Sequence, residues 1–233
     1  IMNCCPCFFA ANMSTPANPS ESPVQSATGG AVSLSQVEKV ADADFPSIFG
    51  HFRICGFRLK DERGTEEAVV LLKGTPGPGK VPLVRIHSQC LTGDTFGSLR
   101  CDCREQLEMA LAQVGKSDYG MVIYEEKEGR GIGLMNKLQA YQLQDQGLDT
   151  IEANVQLGFE ADLRDYRLPV GILKYYGVDA VRMLSNNPEK LQALESGGIR
   201  VSERVPIEAT PHQARTKYLR TKREKMGHKI GEK

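Results

Sequence analysis

The chain has 233 residues, with 29 Lys and Arg against 29 Asp and Glu, 40% apolar residues and 25% charged ones. That length supports a globular protein with its own core, and no apolar run approaches the ~18 residues of a membrane-spanning helix. A formal net charge of zero, 6% aromatics and no Trp argue against a general nucleic-acid binder or a base-stacking surface.

Ile1 precedes two candidate initiators, Met2 and Met13. Cys4, Cys5, Cys7, Phe8 and Phe9 suggest a short signal peptide, yet no Lys or Arg precedes Lys39, so the positive leading region is missing. Residues 14–35 are rich in Ser, Pro, Ala and Gly, which predicts a disordered arm over residues 1–37, followed by one domain over 38–233. Apolar runs predict strands at 52–59, 68–73, 81–87, 120–124 and 181–184. Helical spacing appears at Leu107, Ala110, Leu111 and Val114, again over 132–146, and at 170–176, 188–195 and the basic C-terminal stretch. Strands that alternate with helices predict an α/β domain, a layered mixed β-sheet with helices packed on its faces.

Residues 74–80, GTPGPGK, match the first seven positions of a phosphate-binding P-loop. The eighth is Val81, not a Ser or Thr whose hydroxyl holds Mg²⁺, and a strand pattern follows where the motif needs a helix. Two prolines also remove donors from the loop. The segment reads as a connection.

Three of the seven cysteines, Cys90, Cys101 and Cys103, fall in one C-x10-C-x-C span. Grouped thiolates in a chain too long to need a disulfide framework point to a borderline or soft metal, most simply Zn²⁺. Three protein ligands leave a coordination position for water, as hydrolytic sites require; His87, three residues before Cys90, could close the site as a fourth ligand. Spacing alone leaves the open, closed and metal-free readings standing. The deaminase signature H-x-E…P-C-x-x-C is absent, because the chain reads His87-Ser88-Gln89 and Cys101-Asp102-Cys103.

The blocks RIHSQCLTGD (85–94), GSLRCDC (97–103) and EGRGIGL (128–134), together with Lys137, Tyr141, LQDQG (143–147), EAN (152–154), QLGF (156–159), Asp162, Arg164, Asp165, SNNP (185–188) and RVP (204–206), closely resemble GTP cyclohydrolase II. The resemblance runs in register from about residue 40 to 230 and includes Thr221, Lys222 and the stretch Met226-Gly227-His228. It implies conversion of GTP and water into formate, pyrophosphate and a diaminopyrimidinone carrying phosphoribosylamine, the opening step of riboflavin biosynthesis. It further implies a cytoplasmic homodimer that acts on GTP, with one Zn²⁺ per subunit and Mg²⁺ accompanying the triphosphate.

Residue by residue, the resemblance makes Cys90, Cys101 and Cys103 the zinc ligands and His87 their neighbour. It makes Asp162 a proton acceptor and Arg164 a nucleophile; because a guanidinium pKa above ~12 leaves neutral guanidine scarce, an electrostatic Arg164 that stabilises charge on the α-phosphate explains the same residue. Tyr141 is implied to orient the attack that completes deformylation. Arg85, Ile86, His87, Ser88, Gln89, Gln106, Glu128, Gly129, Arg130, Thr150, Ser185 and Lys190 match positions that contact GTP. Among them, Glu128 is a candidate acceptor for the guanine N1–H and 2-amino groups, and the glycines at 129, 131 and 133 would let backbone N–H groups approach closely. Two positions depart from the pattern: Gln89 stands where Glu is common, and Lys127 where Gln is common, adding a cation near the phosphates. Residues 215–233 hold eight Lys or Arg against two Glu and read as a solvated helix, one side of which could face phosphates. A non-catalytic GTP sensor and an enzyme that stops at a formylated intermediate are the alternatives.

Overall fold

A computed structural model describes residues 36–77, 79–160 and 162–231. Most of the arm expected over residues 1–37 lies outside the described residues. Its last residue does not, because Val37 opens the first strand and packs into the core. The described strands form one mixed sheet in the order β1-β2-β3-β5-β4-β6-β7. A meander of β1 (Val37–Ser47), β2 (Gly50–Asp61) and β3 (Gly64–Lys73) joins antiparallel to β5 (Gly120–Glu125). Next to β5, the strands β4 (Leu83–Ser88), β6 (Ala180–Leu184) and β7 (Arg200–Val205) run parallel to it.

Burial explains this division. β4, β5 and β6 are buried almost throughout, the signature of central parallel strands. β2 alternates instead, with Phe52, Cys55, Phe57 and Leu59 buried between more exposed neighbours. Two strands lacked a sequence signal. β1 and β7 are the sheet edges, where charge, Pro46 and a register shift between Lys39 and Ala41 discourage further pairing. The strand expected at 81–87 begins at Leu83, after Pro82, and extends to Ser88. The P-loop-like stretch connects β3 to β4 and opens no helix.

Helices cover both faces. α4 (Arg167–Tyr175) and α5 (Pro188–Ser196) enclose a core built on Phe57, Ile86, Met121, Leu168, Ile172 and Met183. α1 (Cys103–Lys116) buries Ala110 and Val114 against Phe52, Leu83 and Val122 on the opposite face. α2 (Leu134–Asp145) packs on α3 (Thr150–Gln156), which in turn meets α6 (Thr216–Met226). α3 was not foreseen, although Asp149 and Glu152 form a reciprocal capping box at its start. The three parallel strands β4, β5 and β6 end at Ser88, Glu125 and Leu184. The loops that follow those ends meet in one cleft, the place where open α/β sheets present ligand sites.

Candidate active site

Cys90 follows β4, while Cys101 and Cys103 flank the start of α1. Between them, residues 91–95 make a wide π-type turn whose Asp94 folds back to hold it. The Asp94 carboxylate accepts from Cys90 N at 3.0 Å, Tyr124 OH at 2.9 Å and His87 Nε2 at 3.1 Å. Glu128 braces the same turn, accepting from Leu91 N at 2.7 Å and Lys137 Nζ at 2.6 Å. Lys137 also donates to Cys90 Sγ at 3.1 Å. Hydrogen bonds from Cys101 and Cys103, with Lys137 adding its charge, hold the Cys90 thiol far below its ordinary range.

The Cys90 and Cys101 sulfurs stand 3.7 Å apart, and all three sulfurs lie within 4.8 Å of one another. A tetrahedral zinc with Zn–S bonds of about 2.3 Å has S···S edges of about 3.8 Å, so the trio fits that ion. Gly93 lies against them. A Cβ on it would meet Cys101 Sγ at 2.8 Å and Cys90 Sγ at 3.1 Å, so only hydrogen leaves this space clear.

No fourth side chain joins the group, since the three cysteines alone form the His/Cys/Asp/Glu cluster among the described residues. His87 is buried, stacks on Tyr124 and donates Nε2–H to Asp94, which leaves Nδ1 bare. Burial lowers its pKa, so it is a neutral neighbour. His87 thus stands outside the sulfur cluster.

Cations occupy the rest of the cleft. Arg85 donates to Leu184 O at 3.0 Å and to Gln106 Oε1 at 2.7 Å, and Gln106 passes the chain on to Asp102 at 2.6 Å. Lys190, in the first turn of α5 behind the Asn187 cap, donates to Ile86 O at 2.8 Å. Lys222 of α6 pairs with the buried Asp102 at 2.8 Å. Arg164 reaches Ser88 Oγ at 3.3 Å and grips Asp162 through both Nε, at 2.8 Å, and its terminal nitrogen. Burial, followed by repulsion from Arg85 and Arg164, lowers the Lys190 pKa. Burial and then Lys222 and Arg130 bring His228 down to about 3. Such shifts mark a cleft oversupplied with positive charge, which an anion would relieve.

At the entrance to α2, Gly129, Arg130, Gly131 and Gly133 have φ of 61°, 62°, 90° and 82°. A left-handed turn of this kind suits glycine, and the strain carried by Arg130 is of the sort stored at functional sites. It turns the Arg130 carbonyl to accept Leu163 N at 3.1 Å.

The cleft lining includes Arg85, His87, Ser88, Gln89, Cys90, Cys101, Cys103, Gln106, Glu128, Gly129, Arg130, Tyr141, Thr150, Arg164, Ser185 and Lys190, all singled out from the sequence. Ile86 does not reach it; its side chain is in the core and only its carbonyl serves, as the Lys190 acceptor. Asp162 sits behind Arg164 and is absent from the lining. Glu128 lines the cleft and also braces the cysteine turn through Leu91 N and Lys137 Nζ, with acceptor capacity left on its carboxylate. Lys127 is tied to Glu66, Glu125 and Asp165, so it adds no free charge near the phosphates. The basic C-terminal stretch forms α6, which exposes Arg220, Arg223 and Lys225 on one side, while Tyr218, Lys222 and Met226, spaced four apart on the other, line the cleft with His228. That spacing was the available signal.

Residues 38–206 match the family model for GTP cyclohydrolase II. The GTP cyclohydrolase-2 of Picrophilus torridus is 48% identical over 192 residues, covering 82% of this chain and 98% of the relative. That of Histophilus somni is 49% identical over 197 residues, covering 84% and 90%. The riboflavin biosynthesis protein RibBA of Phocaeicola vulgatus is 50% identical over 196 residues, 84% of this chain but 48% of the relative. The chain therefore spans about half the length of that RibBA relative and nearly the full length of the two cyclohydrolases.

Proposed function

Because this chain belongs to the GTP cyclohydrolase II family, we propose that it hydrolyses GTP, opening the imidazole ring at C8 and releasing formate and pyrophosphate. The product is a diaminopyrimidinone carrying phosphoribosylamine, the first intermediate of riboflavin biosynthesis. The observation that carries this reading is one cleft with a tetrahedrally spaced sulfur trio at one end and a wall of buried cations at the other. The first suits attack on a ring carbon, the second a triphosphate. The proposal extends to a homodimer in the cytoplasm.

A zinc ion held by Cys90, Cys101 and Cys103 would supply Lewis-acid activation of water for the attack at C8. Lys137 and Glu128 keep Cys90 in place, and Asp94 fixes the turn from below. Arg85, Arg130, Lys190 and Lys222 bind the triphosphate, with arginine forks matching phosphate oxygens. Mg²⁺ arrives with the nucleotide, since the carboxylates nearest this wall, Asp102 and Asp162, are held by Lys222, Gln106 and Arg164. Arg164 stabilises the charge that grows on the α-phosphate as pyrophosphate leaves. Burial alone would lower its pKa, but the Asp162 hydrogen bonds outweigh this and raise it, which favours a permanent cation over a nucleophile.

The test incubates pure protein with GTP, Zn²⁺ and Mg²⁺ and measures both products. Formate and pyrophosphate in equal amounts support the proposal. Pyrophosphate alone would mean an enzyme that stops at the formylated intermediate; GTP binding with neither product would mean a sensor.

Tyr141 provides a finer check. Its hydroxyl lies 3.1 Å from Thr92 Oγ1, beside the cysteine turn, and burial raises its pKa, so it remains a neutral donor. In Tyr141→Phe, formate release should fall about 10²-fold, the scale of one lost proton-transfer partner, while pyrophosphate release stays near wild type. Equal loss of both products would assign Tyr141 to substrate binding or packing.

A further inference from the structure

Arg164 sits in a stretch, residues 162–166, that has no regular secondary structure before α4 begins. Its position must therefore be set from outside. On one side Leu163 N is held by Arg130 O at 3.1 Å. On the other, Lys127 Nζ donates to the main-chain oxygen of Asp165 at 2.6 Å and to its carboxylate at 3.0 Å. The same ammonium lies 2.8 Å from Glu66 Oε2 on β3 and 3.5 Å from Glu125 Oε1 at the end of β5. Arg167 closes the network, reaching Asp165 at 3.0 Å, Glu66 at 2.8 Å and Asp61.

Glu125 is 1% exposed, and neither of its oxygens accepts a hydrogen bond among the described residues. A buried carboxylate in that state persists only if opposite charge compensates it. Burial raises the Glu125 pKa, and Lys127, 3.5 Å away, opposes this most, with Lys190 and Arg164 adding attraction from farther off. The pair thus has a reason to be buried together and a consequence, since satisfying Glu125 places the Lys127 ammonium where it captures the Asp165 carbonyl.

We propose that Glu125 and Lys127 form a buried positioning pair that clamps the main chain at Asp165 and so fixes the Arg164 guanidinium over Ser88 and the phosphate end of the cleft. Lys127 is thereby a positioning residue and no phosphate ligand. The kinetic half of the claim rests on the role given to Arg164 above; the structural half does not.

The experiment pairs steady-state kinetics with amide hydrogen exchange of the nucleotide-free protein, in Lys127→Gln, Lys127→Arg and the double variant Glu125→Gln with Lys127→Gln. The double variant leaves no stranded charge on strand β5, so it reports on the clamp even if Lys127→Gln folds poorly. Exchange at residues 163–167 should rise at least tenfold in Lys127→Gln and in the double variant, and stay near wild type in Lys127→Arg. kcat should fall about tenfold with KM for GTP within threefold, and Lys127→Arg should restore most of it. Unchanged exchange, or a rise confined to KM, would overturn the proposal, the latter by making Lys127 a phosphate ligand. Were the wild type to release no products while exchange still responded, the clamp would stand and the enzymatic reading would fall.

Discussion

Arg164→Ala should lower the release of both formate and pyrophosphate by about 10³-fold or more, the cost of removing one preorganised charge from the developing transition state. The Arg164 side chain is 12% exposed, and Asp162 orients it through two side-chain hydrogen bonds and a third from the Arg164 main-chain nitrogen at 3.0 Å. A guanidinium so held needs no reorganisation as the α-phosphate gains charge. GTP affinity should change far less, because Arg85, Arg130, Lys190 and Lys222 still line the cleft. Arg164→Lys keeps the charge but loses the fork that Asp162 grips, and should recover only a small part of the rate. Chemical quench during turnover, followed by mass analysis of the intact chain, should find no guanylyl adduct, as the raised pKa of Arg164 leaves almost no neutral guanidine. Formate release by Arg164→Ala within tenfold of wild type would remove this residue from the mechanism.

The second large effect is expected at a residue with no side chain. In Gly93→Ala the new methyl would stand 2.8 Å from Cys101 Sγ and 3.1 Å from both Cys90 Sγ and Cys103 Cβ. Gly93 needs no left-handed backbone, so the conflict is purely one of space. The turn that carries Cys90 must then move by several tenths of an ångström, which spoils ligand geometry that tolerates about 0.2 Å. Metal content after dialysis should fall well below that of wild type, and formate release should drop about 10–100-fold, as disturbed ligand surroundings usually cause. Cys101→Ser, which removes a ligand outright, should lose more on both counts. Full metal content with full activity in Gly93→Ala would show that the sulfurs do not converge on an ion there.

Several elements and site groups were legible because their signals are local. Apolar-rich runs at β4, β5 and β6, broken only by single polar residues, mark largely buried strands, and the spacing of Leu107, Ala110 and Val114 marks a helix with one buried side. The cysteine trio was visible because thiolates so close in sequence have few other uses. β1 and β7 stayed hidden for the opposite reason: edge strands are half-exposed and blur the alternation that would reveal them. The Asp149–Glu152 capping box was a usable local signal for α3 that the apolar pattern obscured.

What the sequence determined by itself, then, was the kind of chemistry: a sulfur trio grouped for a metal, arginines suited to phosphate and an α/β scaffold to carry them. What only the tertiary structure decided was which partner each charged group takes. Lys222 meets Asp102, Lys127 meets Glu66 and Arg167 meets Asp61 across gaps of more than fifty residues, and no periodicity encodes such pairs. Glu128 and Lys127 took on partners for that reason, one bracing the cysteine turn and the other joining Glu66, Glu125 and Asp165. Buried charges must be neutralised by whatever the fold brings near, and in this protein three-dimensional proximity decides which carboxylate each cation meets.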